Sequence, residues 1–185
     1  MPVLETKRTV LRPFALADAE DVFAYCKDPR VGPVAGWKPH ESLEESREII
    51  RTVFSAPDVF AVTDKDTGRV VGSAGFTAPH REEVCQGSTA EIGYALSPDY
   101  WGRGLMAEVV AELLRYGFQD AKMDEIWATH YQENHRSKRV IEKNGFLYAF
   151  TESLSDAFYP DRPTCFYFLT REAWEKARRD DWTAT

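Results

Sequence analysis

The chain has 185 residues, enough for a substantial hydrophobic core, and we expect residues 1–185 to form a single domain. An apolar fraction of 43% and a charged fraction of 29% are typical of an ordinary globular protein and exclude disordered, collagen-like and disulfide-scaffold classes. A net charge of −7 repels phosphate groups, so we expect no nucleic-acid partner.

Hydrophobic runs and cysteines bear on location and metal binding. No apolar run approaches the roughly 18 residues that a membrane span needs, and residues 1–14 lack the apolar core of a secretory signal. We therefore expect a cytoplasmic protein with no membrane partner. Cys26, Cys85 and Cys165 are widely spaced without a zinc-ligand pattern, so we expect small buried or half-buried side chains and no metal.

Hydrophobic periodicity and turn residues predict a mixed α+β fold. In chain order the predicted strands are 8–14, 59–63, 69–77, 88–97, 125–131, 147–154 and 164–169. The predicted helices begin at Asp18, at a capping box formed by Ser42 and Glu45, and near residues 104, 135 and 171; a loop is expected at 31–40. Hairpins come first and a single strand–helix–strand unit lies in the middle, which argues against a doubly wound sheet.

Two glycines, Gly102 and Gly104, stand directly before the strongly amphipathic helix predicted at 104–120. Glycine lets the backbone approach a ligand, and the first turn of a helix offers unpaired N–H groups and a positive dipole end. These features are typical of a pyrophosphate site, although a plain tight turn explains them equally well. The spacing Gly102-x-Gly104-x-x-Ala107 also fits a dinucleotide fingerprint, but residues 97–101 separate it from the preceding strand, so we disfavour that interpretation.

Further residues extend this segment into an ordered pattern. They are Leu11-Arg12-Pro13, Glu91-Ile92-Gly93-Tyr94, Tyr100-Trp101-Gly102-Arg103-Gly104, and Asn134-x-x-Ser137 followed by Glu142-Lys143-x-Gly145-Phe146. With this set the chain resembles the GCN5-related N-acetyltransferases over nearly its whole length. The most similar branch acetylates the N-termini of ribosomal proteins and includes relatives that modify small molecules.

The resemblance implies a mostly antiparallel sheet, flanked by helices, that splays open between strands 88–97 and 125–131. Acetyl-CoA would lie in this wedge, with its pantetheine arm on the backbone of Tyr94, Ala95 and Leu96. Its pyrophosphate would bind the N–H groups of Gly102, Arg103, Gly104, Leu105, Met106 and Ala107. The family usually has Gly or Ala where this chain has Met106, which puts the close packing there in question.

Asn134 matches an asparagine that bonds the pantetheine arm in the family, and it is equally suited to cap its own helix. Beyond it, a basic cluster either meets the adenosine phosphates of CoA or forms a solvated helix face. Its members are Arg136, Lys138, Arg139 and Lys143.

The expected proton donor is missing from its usual place. Many family members have a tyrosine one turn after the Asn-x-x-Ser pattern that protonates the departing CoA thiolate, and that position here is Ile141. Ser137 shares the inward helix face with Ile141 and is the replacement candidate, although its hydroxyl could instead bond its own i−4 carbonyl. Tyr131 and His130 are weaker candidates.

Glu91 is the candidate base, because the neighbouring Gly93 on the same strand face leaves room for a substrate and burial would raise the pKa of the carboxyl. The alternative is an exposed strand carboxylate. Nothing in the sequence supports His40, His80 or His135 as a base, and His80 lies in a loop of charged residues.

We therefore expect an N-acetyltransferase that moves the acetyl group of acetyl-CoA to a primary amine, either a protein N-terminus or a small amine, in a ternary complex. A backbone N–H between Tyr94 and Leu96 would stabilise the oxyanion. The loss of tyrosine at Ile141 keeps a non-catalytic CoA-binding module as an alternative, and a dinucleotide-binding protein is the least favoured. The apolar strand 164–169 is either buried or meets a partner, and a homodimer is expected only because homodimers are common.

Overall fold

The computed structural model describes residues 1–155 and 158–183. Its centre is an eight-stranded sheet in the order β1-β2-β3-β4-β5-β6-β8-β7. The strands are β1 Leu4–Glu5, β2 Thr9–Arg12, β3 Val59–Asp64, β4 Val70–Thr77, β5 Thr89–Leu96, β6 Glu125–Tyr131, β7 Leu147–Leu154 and β8 Arg162–Thr170. Every neighbouring pair is antiparallel except β5 and β6, which are parallel. The predicted mixed, mostly antiparallel sheet is confirmed.

Six α-helices within the described ranges flank this sheet. They are α1 Ala19–Cys26, α2 Gly32–Ala35, α3 Leu43–Thr52, α4 Leu105–Arg115, α5 His135–Lys143 and α6 Arg171–Thr183. Short 3₁₀ turns occupy Leu16–Asp18, Glu82–Val84 and Pro98–Tyr100, and a π-helical turn, Tyr116–Asp120, extends α4. None of these helices is long and apolar enough to cross a membrane.

Three elements differ from the sequence-based expectation. The strand predicted at 8–14 ends at Arg12, because Pro13 has no N–H to donate to a ladder. The two-residue strand β1 is too short to produce a periodic pattern. The predicted loop 31–40 contains α2, which has proline in its first turn and ends at Gly36, where φ is 92°.

The core lies on both faces of the sheet because side chains along each strand alternate in direction. On one face, Phe60 and Val62 pack with the inward side of α4, including Val109 and Leu113. On the other face, Ala61 and other strand residues pack beneath α1 and α3. Cys26 and Cys165 are buried and Cys85 is half-buried, and all three are free thiols.

The sheet opens between its two parallel strands. β5 and β6 pair only from Thr89 opposite Glu125 to Ile92 opposite Ala128. Beyond that point β5 continues to pair with β4, and β6 with β8, so the two strands diverge. Because α4 follows β5 and α5 follows β6, the N-termini of both helices lie beside this opening. The predicted splay is confirmed.

Candidate active site

The opening between β5 and β6 forms a cavity of about 650 Å³, within the range of small-molecule sites. Its wall is made of the end of β5, the start of α4, the end of β6, the inner face of α5 and part of α2. Every site residue predicted from the sequence lines this cavity except Arg103.

The start of α4 presents a row of free N–H donors to the cavity. Gly102 and Gly104 have φ values of 76° and 73°, a left-handed conformation that favours glycine. The hydrogen bonds of the helix begin with Glu108 N, which donates to Gly104 O at 3.2 Å. Within the described parts of the chain, no bond is made by the N–H groups of residues 102–107. A row of unpaired donors at a helix N-terminus fits a bound pyrophosphate.

Arg103 is the exception among the predicted residues. Its guanidinium lies over the ring of Tyr100, 5.1 Å from the centroid, and its carbonyl accepts a hydrogen bond from Arg8 Nη1 at 3.0 Å. The side chain is therefore turned away from the cavity, and only the backbone N–H is left for the predicted role. Met106, in contrast, has its side chain buried in the core, so its bulk does not block the row of donors.

Cations border the same end of the cavity. Arg136, Arg139 and Lys143 line it, whereas Lys138 pairs with Glu142 at 3.7 Å on the outer side of α5. The Arg136 guanidinium lies 4.1 Å from the ring centroid of Trp101. Three of the four cluster members are thus placed where they can meet phosphate groups.

Asn134 makes two bonds with its side chain. Its Oδ1 accepts from Ser137 N at 3.2 Å, which caps α5, and its Nδ2 donates to Val34 O at 3.4 Å, which ties α5 to α2. Both bonds are structural, and contact with the pantetheine arm stays a prediction.

Ser137 lies on the inward face of α5 and is buried. Its Oγ is 2.8 Å from the phenolic oxygen of Tyr94, so the hydroxyl bonds a side chain of β5. Burial raises the pKa of Tyr94 well above its usual value, although the bond to Ser137 acts in the opposite direction. The phenol is therefore protonated at neutral pH. Sequence reasoning used only the backbone of Tyr94, although the alternation along the strand groups its side chain with Ile92 and Leu96 on the face opposite Glu91.

Glu91 is buried at the other strand face, with 4% of its surface exposed. Thr129 Oγ1 donates to Glu91 Oε1 at 2.7 Å, and the backbone N–H of His80 donates to Oε2 at 3.0 Å. His80 Nδ1 is 2.9 Å from both carboxylate oxygens. A Cβ added at Gly93 would meet nothing within 4 Å, which agrees with the space expected beside Glu91.

His80 is a residue of the site for which the sequence offered no functional support, because it lies in a loop of charged residues. Its hydrogen bond to Glu91 raises its pKa, and this effect outweighs the opposing effects of burial and of Arg81. His130, by comparison, donates from Nδ1 to the Tyr131 carbonyl oxygen, 2.8 Å away, and burial lowers its pKa. These contacts leave His130 poorly suited to donate a proton to the cavity.

Comparison with known proteins bears directly on this arrangement. A family model described as an acetyltransferase (GNAT) domain matches residues 8–147. The chain belongs to the GNAT acetyltransferase family. It is 31% identical over 153 residues to the uncharacterized N-acetyltransferase YoaA of Bacillus subtilis, covering 78% of this chain and 82% of that protein.

Solved structures of GNAT proteins share the fold. An acetyltransferase of the GNAT family from Bacillus anthracis superimposes with a TM-score of 0.81 at 26% identity, covering 92% of this chain and 99% of that one. The ribosomal-protein-S5-alanine acetyltransferase of Vibrio fischeri gives a TM-score of 0.73 at 19% identity, with 94% and 99% coverage. The second likeness concerns the fold alone.

Proposed function

We propose that this GNAT protein transfers the acetyl group of acetyl-CoA to a primary amine, which attacks the thioester directly while both substrates occupy the cavity. The observation that carries the proposal is the opening between β5 and β6. It has free N–H donors at the start of α4, and it also borders two groups able to exchange protons, Glu91 with His80 and Ser137 with Tyr94.

The proposed binding of acetyl-CoA rests on two sets of backbone groups, the N–H groups at the start of α4 and the edge of β5 beyond Ile92. The N–H groups of residues 102–107 hold the pyrophosphate, and Arg139 and Lys143 stand near its negative charge. Residues 93–96 of β5 lie beyond the pairing with β6, so this edge of the strand is open to the amide groups of the pantetheine arm, except at Leu96 O, which accepts from Trp101 Nε1 at 2.8 Å. A backbone N–H of this edge also serves the oxyanion.

Proton movement uses the two faces of β5. On one face Glu91 supports removal of the proton from the acceptor amine. On the other face Ser137, bonded to Tyr94, returns a proton to the thiolate of CoA. In this division of roles, Ile141 takes no part in the chemistry. It stands where many family members have a tyrosine, and it is fully buried.

The acceptor is a primary amine, either a protein N-terminus or a small molecule. A panel of small amines and N-terminal peptides, scored by release of the CoA thiol, tests the proposal and selects between the two classes. Turnover with at least one member is expected. Tight binding of acetyl-CoA without turnover of any amine would instead support a non-catalytic CoA-binding module.

Two substitutions test the residue roles on the accepted amine. We expect Glu91→Gln and Ser137→Ala each to lower kcat by about 10²-fold, the usual contribution of general acid–base groups, and to leave the Kd for acetyl-CoA within about twofold. Glu142→Gln removes an exposed carboxylate of α5 outside the cavity and serves as the control. A wild-type kcat in both test variants would show that Glu91 and Ser137 do not have these roles.

A further inference from the structure

The hydrogen bonds of Glu91 leave its carboxylate with little free capacity. A carboxylate offers about four lone-pair positions. The Thr129 hydroxyl takes one position and the His80 backbone N–H a second, and His80 Nδ1, 2.9 Å from both oxygens, faces the other two; the residue is 4% exposed. An amine or water that approached either oxygen would have to displace one of these donors.

His80 presents the opposite situation. Its side chain is 53% exposed and the residue lines the cavity. An ionised carboxylate only accepts hydrogen bonds, so Nδ1 carries the hydrogen and Nε2 of the neutral ring carries the lone pair. No hydrogen bond joins Nε2 to any residue within the described ranges.

We propose that Nε2 of His80 takes the proton from the acceptor amine and that Glu91 is a positioning residue, which fixes the tautomer and stabilises the imidazolium. This inference rests on the proposed function and deepens it. The arrangement follows the logic of a carboxylate–histidine pair, in which the carboxylate orients the ring and is not itself protonated.

The step balances without any further reactant. The amine nitrogen forms its bond to the thioester carbonyl carbon, and the C–S bond breaks with its electron pair on sulfur. The amine proton goes to His80 Nε2, and the thiolate takes the Ser137 Oγ proton, which Ser137 regains from solvent through the cavity before the next turnover. The imidazolium then releases its proton to solvent through the exposed side of the ring.

The charges around His80 set the pH at which the base is neutral. Glu91 faces it from β5, and Arg81 follows it in the same loop, where its guanidinium pairs with Glu152 of β7 and with Glu83. Thr129, from β6, carries no charge. Glu91 dominates and raises the pKa of His80, so the neutral ring forms above the usual histidine range.

Nitrogen NMR of the ¹⁵N-histidine-labelled protein tests the pair without depending on turnover. The His80 signals are assigned by their loss in His80→Gln. We expect the Nδ1–H tautomer and a pKa above the unperturbed value of about 6.5, and we expect Glu91→Gln to lower that pKa. An Nε2–H tautomer, or a pKa unaffected by Glu91→Gln, would overturn the inference.

Kinetics then distinguish His80 from Glu91 as the proton acceptor. With one amine throughout, His80→Gln should lower kcat/KM by about 10²-fold and remove the acid-side limb of its pH profile, with the acetyl-CoA Kd unchanged. Added imidazole should restore activity to His80→Ala, because the emptied position opens to the cavity. His135→Gln, at an exposed histidine outside the cavity, is the matched control.

The outcomes separate the two proposals. Wild-type activity with an unchanged acid limb in His80→Gln, together with loss of activity in Glu91→Gln, would return the base to Glu91 and leave the acetyltransferase intact. A wild-type protein that turns over no amine would contradict the proposed function, and the NMR result would still decide whether Glu91 holds the His80 tautomer.

Discussion

Tyr94 extends from β5 across the opening of the sheet, and its hydroxyl is 2.8 Å from that of Ser137 on α5. If the phenol supports proton donation by Ser137, Tyr94→Phe should lower kcat by about tenfold and leave the Kd for acetyl-CoA within about twofold, since the ring still fills its place. Steady-state kinetics and a binding titration measure both. Tyr148→Phe removes an exposed phenol that bonds Thr151, outside the cavity, and is the control. An unchanged kcat in Tyr94→Phe would assign the proton to Ser137 alone.

Asp18 joins the end of β2 to the start of α1. It accepts bonds of 2.8 Å from both terminal nitrogens of Arg12 and from Ala15 N. Burial acts to raise the pKa of Asp18, but these donors outweigh it and the pKa is lowered. A carboxyl whose pKa is lower when folded stabilises the protein above its unfolded pKa and loses that effect as pH falls through the folded value.

Asp18→Asn should therefore reduce the free energy of unfolding by about 2 kcal/mol at pH 7, a typical value for bonds to a charged group. The difference from wild type should shrink as pH falls below about 4, where the unfolded carboxyl becomes protonated. Urea titrations at pH 7 and in this acid range provide the measurement. A difference in the free energy of unfolding that did not change with pH would show that packing around Asp18, and not its charge, stabilises the junction between β2 and α1.

At the scale of elements, the turn into α4 combines a left-handed glycine conformation with the row of free N–H donors. Gly104 has φ of 73°, and an added Cβ would meet only Arg8 Nη2, at 3.9 Å. Gly104→Ala should cost about 1 kcal/mol of stability, the usual penalty for a left-handed alanine, and should weaken acetyl-CoA binding by about tenfold or more. Gly68→Ala is matched to it, with φ of 71° and open space around the Cβ, but lies in the β3–β4 turn.

Unfolding and calorimetric binding titrations separate the two effects. We expect the two variants to lose equal amounts of stability and only Gly104→Ala to lose affinity for acetyl-CoA. Equal affinity in both variants would show that the turn has no part in binding.

Local patterns predicted the elements well and their long-range contacts less well. The i, i+4 spacing of apolar residues after Gly104 and the alternation of side-chain directions around Glu91 depend only on neighbouring residues. The sequence alone is therefore enough to predict them. The bond between Tyr94 and Ser137 joins residues 43 positions apart. The contact of His80 with Glu91 depends on the path of the loop between β4 and β5, which no periodicity encodes. The sequence thus located the cavity but not the contacts of Glu91 with His80 and of Ser137 with Tyr94.

At the scale of the whole molecule, the opening lies between the two parts of the sheet, so acetyl-CoA bound there as proposed would bind only the folded chain. Acetyl-CoA at about 100 times its Kd should stabilise the protein by roughly 2.7 kcal/mol. For a chain of this size that corresponds to a rise in Tm of about 5–10 °C. Thermal unfolding with acetyl-CoA, CoA and NAD at matched concentrations makes the test. A rise with NAD alone would contradict binding of acetyl-CoA at this site.

The pairing of β5 with β6 has a consequence for the order in which the chain assembles. Strands β1 to β5 pair in chain order in one part of the sheet, and β6, β8 and β7 form the other. Within these parts β4 pairs with β5 over six residue pairs and β6 with β8 over seven. The parallel joint spans four residue pairs and must wait for the crossover through α4. We therefore expect β5 and β6 to pair after the transition state for folding. Acetyl-CoA bound there as proposed would bridge the joint, and we expect it to slow unfolding without speeding folding.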